Sequence, residues 1–218
     1  MKQAENEVRR PAAEKRTVLY TVARCLVGVL FRTLGPVQYY HKERAQLKAP
    51  FILVSNHWSN MDPLLAAFPV RGLEVTFLGK KELVAVPFLK WLLNALHMIP
   101  IDRHNRDMEA MRACSRALKD GAVLGIFPEG TRHHQGVMEE TEDGMALIAL
   151  RARVPVLPVY IEKKYRMFHV NRVCIGEPLD IQDLCEEGVN RETCALLMDR
   201  LKASYRAMQA EIQSVQGN

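Results

Sequence analysis

The segment "FILVSNHWSNMDPLLAAF", residues 51–68, predicts a buried strand followed directly by a helix. Four apolar residues and Ser55 form an uninterrupted run, which is the pattern of a strand buried on both faces. Asp62 and Pro63 then favour a helix start, because aspartate is a good N-cap and proline suits the first helical position. His57 therefore lies on the turn between the two elements, where sites gather in layered α/β proteins.

The rest of the chain alternates between strand and helix patterns in the same way. Further strands are predicted within residues 36–43, 74–80, 98–101, 122–128, 154–161 and 169–179. Further helices are predicted within residues 18–31, 86–96, 106–120, 142–152 and 190–213. This alternation predicts an α/β fold, with a layered sheet of mostly parallel or mixed strands flanked by helices.

Two of these segments support more detailed predictions. Four apolar residues of the helix within 106–120 are expected on one face, namely Met108, Met111, Cys114 and Leu118. The strand within 154–161 contains Pro155 and Pro158, and prolines suit an edge strand or a strand that lines a cleft. A strand with a merely structural role is the alternative, and of the two we favour it.

The composition is that of an ordinary globular chain, long enough for one domain. Of the 218 residues, 48% are hydrophobic and 25% charged, which allows a core and does not favour disorder or a coiled coil. The net charge of +5 fits phosphate, nucleic acid or a membrane surface as partner, or only a role in solubility. Nucleic acid is disfavoured, because the cations are spread out and aromatic residues make up only 7%.

The cysteines and histidines do not follow a metal-binding pattern. The five cysteines are odd in number and include no C-x-x-C spacing, which favours free thiols in a reducing compartment. His97, His104, His133 and His134 lack both an HExxH motif and a Cys/His ligand spacing. We therefore expect no metal site.

The N-terminal region combines a polar start with an apolar run. Residues 1–15 lack the apolar stretch of a signal peptide, so secretion is not expected. Residues 18–31 are shorter than the roughly 20 apolar residues that cross a bilayer, and Arg24 interrupts them. One interpretation is a helix at the membrane interface, with Arg24 and Arg32 extending to lipid headgroups. The other is a helix packed on the domain's own core.

His57 and Asp62 are candidates for a general base and the acid that orients it. An acid fixed at a helix start can accept a bond from one imidazole nitrogen and raise the basicity of the other. The sequence contains no G-x-S-x-G elbow that would present a protein nucleophile. We therefore expect the base to activate a substrate hydroxyl, in a direct transfer without a covalent intermediate.

Two further strand ends contain candidate anion-binding groups. The segment FPEGTR, residues 127–132, offers a glycine for a tight turn, a threonine hydroxyl and a guanidinium suited to phosphate. Arg103 follows the strand within 98–101 and is a second cation at a strand end. Taken alone, each segment is more typical of a polar surface turn or a surface ion pair.

Together these segments resemble the glycerolipid acyltransferase family, and within it the bacterial 1-acyl-sn-glycerol-3-phosphate acyltransferases. The family's Asn-His block, with an aspartate after four further residues, matches Asn56, His57 and Asp62. Its other blocks match, in the family's order, Ile-Asp-Arg at 101–103, Phe-Pro-Glu-Gly-Thr-Arg at 127–132 and Val-Pro-x-x-Pro-Val at 154–159. The matching blocks span about residues 50 to 160.

The resemblance implies a reaction and a site. It implies that His57, with Asp62 as its partner, takes a proton from the free hydroxyl of lysophosphatidic acid. That hydroxyl then attacks an acyl thioester of coenzyme A or acyl carrier protein. The implied acceptor-binding residues, with the arginines on the phosphate, are Asn56, Arg103, Glu129, Gly130, Thr131 and Arg132. No metal or redox cofactor is implied.

The resemblance also implies how the chain is organised. Residues 1–34 are expected to form a polar segment and a membrane-associating helix, and residues 35–218 the acyltransferase domain. Since acceptor and product are membrane lipids, we expect attachment at the cytoplasmic face of the cell membrane, peripheral or shallowly embedded.

Three positions depart from the family's usual pattern: His97, Glu142-Asp143 before Gly144, and His133. They lie near the expected acceptor site, so they leave the acceptor's head group open. Acyl transfer to another lysophospholipid or membrane acceptor is therefore an alternative. A catalytically silent lipid-binding module is the other.

Overall fold

The structure is a computed structural model that describes residues 17–80, 98–101, 108–129, 138 and 144–216. Its first elements are α1 (Val18–Thr33), β1 (Val37–Tyr40), a 3₁₀ turn (Lys42–Ala45), β2 (Phe51–Ser55), α2 (Asp62–Ala67), β3 (Val75–Lys80) and β4 (Ile99–Ile101). They are followed by α3 (Met108–Lys119), β5 (Val123–Ile126), α4 (Gly144–Ala152), β6 (Val156–Ile161), β7 (Asn171–Ile175), α5 (Gln182–Glu187) and α6 (Arg191–Gln216). The helix predicted within 86–96 lies outside the described residues.

The seven strands within the described residues form one mixed sheet in the order β1-β7-β6-β2-β5-β3-β4. Neighbouring strands are parallel except β6 and β7, which are antiparallel. In β2, Leu53 pairs with Leu157 of β6 on one side and with Gly125 of β5 on the other. Because these three strands are parallel, their carboxyl ends meet along one side of the sheet. We call this side, where β2 ends at Ser55 and β6 at Ile161, the His57 edge.

The sheet is covered by helices on both faces, which confirms the predicted α/β fold. Phe51 and Leu53 of β2 belong to an apolar cluster that includes residues of α1 and α2. Ile52 and Val54 belong to a second cluster, which includes residues of α3, α4, α5 and α6. All four of these β2 side chains are fully buried. The apolar run of β2 is therefore explained by burial on both sides of the sheet.

The predicted apolar face of α3 is correct except at its start. Cys114 and Leu118 are buried, and Met111 packs against them, but Met108 is 53% exposed. At 3.6 residues per turn, Met108 lies about 120° around the helix axis from Cys114. Ala110 lies closer to the direction of Cys114 and is buried in its place.

Pro158 lies in the interior of the sheet and not on an edge strand, so of the two interpretations the edge strand is excluded. β6 lies between β7 and β2 and is buried throughout. The proline is tolerated because the pairing of β6 with β7 shifts by one residue there. Val159 is opposite Ile175, whereas Val156 bridges Leu179. At this irregularity Pro158 contributes its carbonyl oxygen, which accepts the Gly176 N–H at 2.9 Å.

One face of α1 packs on the domain and the other is exposed. Phe31 is buried, with its ring 5.3 Å from the ring of Phe68. The exposed face has four apolar residues, namely Val18, Val22, Leu26 and Val29. Among the described helices, none is both long and apolar enough to cross a membrane.

Arg24 of α1 is directed into the domain. Its guanidinium donates a hydrogen bond to the Phe68 carbonyl and lies 4.6 Å over the centre of the Phe68 ring. The expectation that Arg24 extends to lipid headgroups is therefore wrong. A backbone carbonyl and an aromatic face stabilise this cation within the protein.

Candidate active site

Asp62 holds together the turn between β2 and α2. Its carboxylate is fully buried, and Oδ2 accepts hydrogen bonds from His57 Nδ1, at 2.8 Å, and from the backbone N–H groups of Trp58 and Ser59. The Ser59 hydroxyl donates to Oδ1 at 3.0 Å. The predicted contact with His57 is therefore present. The predicted N-cap is off by one residue, because α2 begins at Asp62 itself and Met61 is the cap.

The bond to Asp62 decides which nitrogen of His57 can accept a proton. A carboxylate only accepts hydrogen bonds, so Nδ1 is the protonated nitrogen and Nε2 has the free lone pair. The His57 side chain is 11% exposed, which leaves a small part of the ring open to a reactant. An imidazole held in this way can act as a general base through Nε2.

The His57 ring is also held by an aromatic stack that was not predicted from the sequence. It stacks on Phe127 with a centroid distance of 4.4 Å, and Phe127 stacks on Phe77 at 5.6 Å. A Cβ atom at Gly125 would overlap the Phe77 ring. Because Gly125 has no side chain, the Phe77 ring fits beside it and can stack on Phe127.

Asn56 links β2 to the end of β6 and is not available to substrate. Its side-chain amide donates to the Ile161 carbonyl and accepts from the Ile161 N–H, both at 2.8 Å. The side chain is only 1% exposed, so a direct contact with substrate, as predicted, does not fit the structure. Trp58 donates from Nε1 to the same carbonyl at 2.9 Å. Asn56 and Trp58 thus fix the chain on both sides of His57.

Glu129 binds the backbone of His57 from the end of β5. Its Oε2 accepts the His57 N–H and its Oε1 accepts the Met138 N–H, both at 3.0 Å. The side chain is buried. The carboxylate therefore joins the turn after β2 to a loop residue that follows the FPEGTR segment.

Tyr205 of α6 reaches the same region from behind the sheet. Its hydroxyl proton is shared between two acceptors, the carbonyl oxygen of Val54 at 2.8 Å and that of Val159 at 2.9 Å. Burial, with the charge of Glu129 as a second cause, raises the pKa of Tyr205 well above its ordinary value. The hydroxyl therefore stays protonated and bridges β2 and β6 beside the candidate site.

The structure describes half of the residues that were predicted for the site. His57, Asp62, Asn56 and Glu129 are brought together at the His57 edge. Outside the described residues lie Arg103, Gly130, Thr131 and Arg132. Their nearest described neighbours are Ile101 at the end of β4 and Glu129 after β5. Both strands point towards the His57 edge, because β4 is parallel to β3, and β3 to β5.

One group of potential metal ligands occurs among the described residues. His41, Cys174 and Glu211 have ligand atoms within 4.8 Å of one another. His41 Nε2 is 2.7 Å from Glu211 Oε1, and the Cys174 thiol donates to Glu211 Oε2 at 3.8 Å. Burial and the charge of Glu211 raise the pKa of Cys174 to about 12. Glu211 thus bonds both His41 and Cys174 and holds the three side chains together.

A cavity of about 900 Å³ lies between α1, β1 and the end of α2. Its lining includes four cations, namely Arg24, Arg32, Lys42 and Arg71. It includes neither His57 nor Asp62. This cavity beside α1 is therefore lined by cations and is separate from His57, the candidate base.

Known proteins share both the sequence and the fold. The chain is 23% identical over 206 residues to the 1-acyl-sn-glycerol-3-phosphate acyltransferase of Bacillus subtilis (strain 168), covering 90% of this chain and 100% of that protein. It is 29% identical over 205 residues to the protein of the same name from Streptococcus pneumoniae, covering 89% of this chain and 74% of that one. Both alignments extend well beyond the residues around His57.

A solved structure is similar over nearly the whole chain. The crystal structure of the 1-acyl-sn-glycerophosphate (LPA) acyltransferase PlsC from Thermotoga maritima superposes with a TM-score of 0.65 and 25% identity. The superposition covers 91% of this chain and 78% of the other. The family model described as Acyltransferase matches residues 36–162, more than half of the chain, from the start of β1 past the end of β6. The chain therefore belongs to the Acyltransferase family.

Proposed function

We propose that the protein is a 1-acylglycerol-3-phosphate O-acyltransferase of phospholipid biosynthesis. It moves a fatty acyl group from a thioester to the sn-2 hydroxyl of lysophosphatidic acid and so forms phosphatidic acid. The observation that carries the proposal is the 2.8 Å bond between His57 Nδ1 and Asp62 Oδ2, at the His57 edge of a chain in this family. The names of the two bacterial relatives and of the Thermotoga maritima structure support the acceptor.

The reaction requires a base and an acid, and His57 can serve as both. Nε2 takes the proton of the acceptor hydroxyl while the hydroxyl oxygen attacks the thioester carbonyl. The tetrahedral intermediate then collapses, the carbon–sulfur bond breaks, and the leaving thiolate takes the proton from His57. Asp62 stabilises the imidazolium that exists between the two transfers. The nucleophile therefore arrives with the substrate.

Binding of the acceptor phosphate is assigned to Arg103 and Arg132, with Gly130 and Thr131 shaping the site around it. Support comes from β4 and β5, whose carboxyl ends lie at the His57 edge and which Arg103 and Arg132 follow in the sequence. A planar guanidinium matches a phosphate well. Asn56 and Glu129 are assigned to positioning His57, because their contacts are to Ile161 and to the His57 backbone.

An acyl thioester is the second substrate, and it is linked to coenzyme A or to acyl carrier protein. The first 34 residues are assigned to membrane attachment at the cytoplasmic face, ahead of an acyltransferase domain at 35–218. Two observations support this division. The match to the family model starts at residue 36, directly after α1, and the outward face of α1 is apolar. Such a helix can lie in the membrane interface.

The proposal is tested by an acyl-transfer assay with labelled acyl thioester and detergent-dispersed lysophosphatidic acid. Wild-type protein should form phosphatidic acid. His57→Ala should reduce kcat by about 10²–10⁴-fold, which is the usual contribution of a general base. His41→Gln is the matched control, since glutamine can still bond Glu211 and His41 is not part of the site.

Each alternative gives a different result in the same assay. Equal product from wild type and His57→Ala would contradict the role of His57. Product only with another lysophospholipid would correct the acceptor. No product with any acceptor, from folded protein that still binds the lipid, would favour a silent lipid-binding module. Coenzyme A and acyl carrier protein thioesters, compared side by side, would identify the donor.

A further inference from the structure

The loop between β6 and β7, residues 162–170, exposes large apolar side chains next to one another. Phe168 is 75% exposed and Met167 is 49% exposed. Every residue from 166 to 170 is exposed, and Val170 adds a third apolar side chain. Adjacent exposed apolar groups mark an interaction site more often than isolated ones do.

The loop is held in place by hydrogen bonds. The buried side chain of Asn171 accepts the Arg166 N–H at 2.8 Å and donates to the carbonyls of Arg166 and His169, both at 3.0 Å. The Asn171 N–H donates to the Pro36 carbonyl at 2.8 Å. The exposure of Met167 and Phe168 is therefore a property of an ordered loop.

The backbone at Phe168 supports the same conclusion. Its φ angle is +59°, in the left-handed region that a bulky side chain rarely adopts. Its N–H donates to the Leu34 carbonyl at the end of α1, at 2.6 Å. The fold thus maintains an unfavourable backbone conformation at the residue whose ring is most exposed, which a purely internal packing role does not explain.

Cations precede this apolar tip in the chain. Lys163, Lys164 and Arg166 are exposed, and the loop's acidic residue, Glu162, forms ion pairs with Lys163 at 2.9 Å and with Arg172 at 3.4 Å. Protein interfaces are depleted of lysine at their centre, whereas a lipid surface accepts apolar groups together with lysine and arginine that reach the headgroups. The combination therefore fits an anionic membrane better than a protein partner.

The loop lies where membrane contact would serve the site. It is joined to the end of α1 through Leu34, and the ring of Tyr165 lies 5.8 Å from that of Phe31. It also follows Ile161, whose carbonyl oxygen accepts hydrogen bonds from Asn56 and Trp58 on either side of His57. The exposed apolar tip and the candidate base are thus on the same side of the sheet.

We propose that the β6–β7 loop is a second membrane-binding element, which inserts Met167 and Phe168 into the interface of an anionic bilayer. Lys164 and Arg166 bind the headgroups. Together with α1, the loop fixes the orientation of the His57 edge towards the lipid surface. This inference rests on the membrane attachment within the proposed function, but its test does not depend on acyl transfer.

The apolar part of the proposal is tested by co-sedimentation with vesicles of phosphatidylcholine mixed with phosphatidylglycerol. The variant Met167→Gln/Phe168→Asn should bind about tenfold more weakly than wild type, because two apolar groups are lost from the interface. Asparagine tolerates the left-handed backbone at position 168, so the loop should keep its shape. The control Leu196→Gln/Val215→Gln removes two exposed apolar groups from α6 and should bind like wild type.

The charged part is tested with Lys164→Gln/Arg166→Gln. This variant should bind the mixed vesicles about tenfold more weakly, and should match wild type on pure phosphatidylcholine, since only anionic headgroups attract the cations. The control Lys119→Gln/Arg206→Gln removes two exposed cations from α3 and α6 and should lose less than twofold on the mixed vesicles.

A third variant reports insertion directly. In Phe168→Trp, the added indole should shift its fluorescence to the blue on mixed vesicles and be quenched by brominated acyl chains. Binding by Met167→Gln/Phe168→Asn that equals wild type, with an unchanged melting temperature, would overturn the proposal. A concentration-dependent dimer that this variant abolishes would also overturn it, in favour of a contact between copies of the chain. Vesicle binding through Phe168 by wild-type protein that transfers no acyl group would contradict the proposed function alone.

Discussion

Asp62 accepts four hydrogen bonds, all from residues 57 to 59. One carboxylate therefore shapes the turn and orients the His57 imidazole at the same time. Three of these bonds are to the backbone or hydroxyl of Trp58 and Ser59, and they need only an oxygen acceptor. The bond to His57 has a further role, because a negative charge stabilises the imidazolium during the reaction.

Asp62→Asn should separate these two roles. An amide oxygen in the place of Oδ2 can still accept from His57, Trp58 and Ser59, and only the Ser59 hydroxyl then faces the NH2 group, but the negative charge is lost. We expect kcat to fall by roughly 10²–10⁴-fold with little change in KM for lysophosphatidic acid. Steady-state kinetics in detergent measure both. Ser59→Ala removes only the hydroxyl bonds to Asp62 and Met61, so a comparable loss of kcat in that control would contradict the assigned role of the charge.

The sequence allows the His57–Asp62 contact to be predicted because the two residues are five positions apart on one turn. It does not allow the roles of Asn56 and Glu129 to be predicted. Glu129 acts on the His57 backbone from 72 positions away, and Asn56 bonds a residue 105 positions away. An amide or a carboxylate fits substrate and backbone equally well, so only the folded arrangement decides between them.

At the scale of elements, β3 and β5 support the base through the stack of Phe77, Phe127 and His57. Gly125→Ala should disturb this stack, because the added methyl group would overlap the Phe77 ring. We expect a loss of about 1–3 kcal/mol in the free energy of unfolding, as for other overpacked cores, together with a lower kcat. Urea denaturation and the transfer assay measure the two effects.

A second substitution tests whether Phe77 causes the effect of Gly125→Ala. Gly125→Ala/Phe77→Leu gives the methyl group room, so it should recover part of the lost stability. It should not recover full activity, because leucine cannot stack on Phe127. A double variant no more stable than Gly125→Ala would show that the clash is elsewhere in β5.

The two faces of α1 should respond differently to substitution. Val22→Gln/Leu26→Gln/Val29→Gln changes only exposed positions, so sedimentation with membranes should fall while the melting temperature stays the same. Phe31→Ala changes the buried face and should cost about 3 kcal/mol of stability. Unchanged sedimentation of the triple variant would contradict membrane attachment through α1.

The elements themselves could be predicted from the sequence better than their arrangement. Apolar runs and their period gave β2, β5, β6 and the long helix α6 correctly. The antiparallel pairing of β6 with β7 was not predictable, because an apolar run indicates neither the neighbouring strand nor the direction of pairing. The same is true of the register shift that allows Pro158 in the sheet interior.

At the scale of the whole molecule, the fold buries one thiol and two tyrosine hydroxyls that would otherwise lose their protons in alkali. Burial raises the pKa of Cys174 from 9.0 to about 12, with the charge of Glu211 adding to it. Burial also raises the pKa of Tyr160 from 10.0 to about 12, and that of Tyr205 well above its ordinary value. These groups lie on β6, β7 and α6, so they connect the sheet to its longest helix.

These raised pKa values predict that the protein loses stability in alkali. Between the ordinary and the raised pKa values, the folded chain keeps protons that the unfolded chain releases, so higher pH favours unfolding. The stabilisation is complete below pH 9 and is lost towards pH 12, by up to about 1.4 kcal/mol per pH unit for each group.

Urea denaturation at a series of pH values measures the slope. Cys174→Ala should flatten it between pH 9 and 12, whereas Cys25→Ala, at an exposed position, should not. An equal slope in wild type and Cys174→Ala would mean that the fold does not raise the pKa of Cys174, and would contradict this prediction.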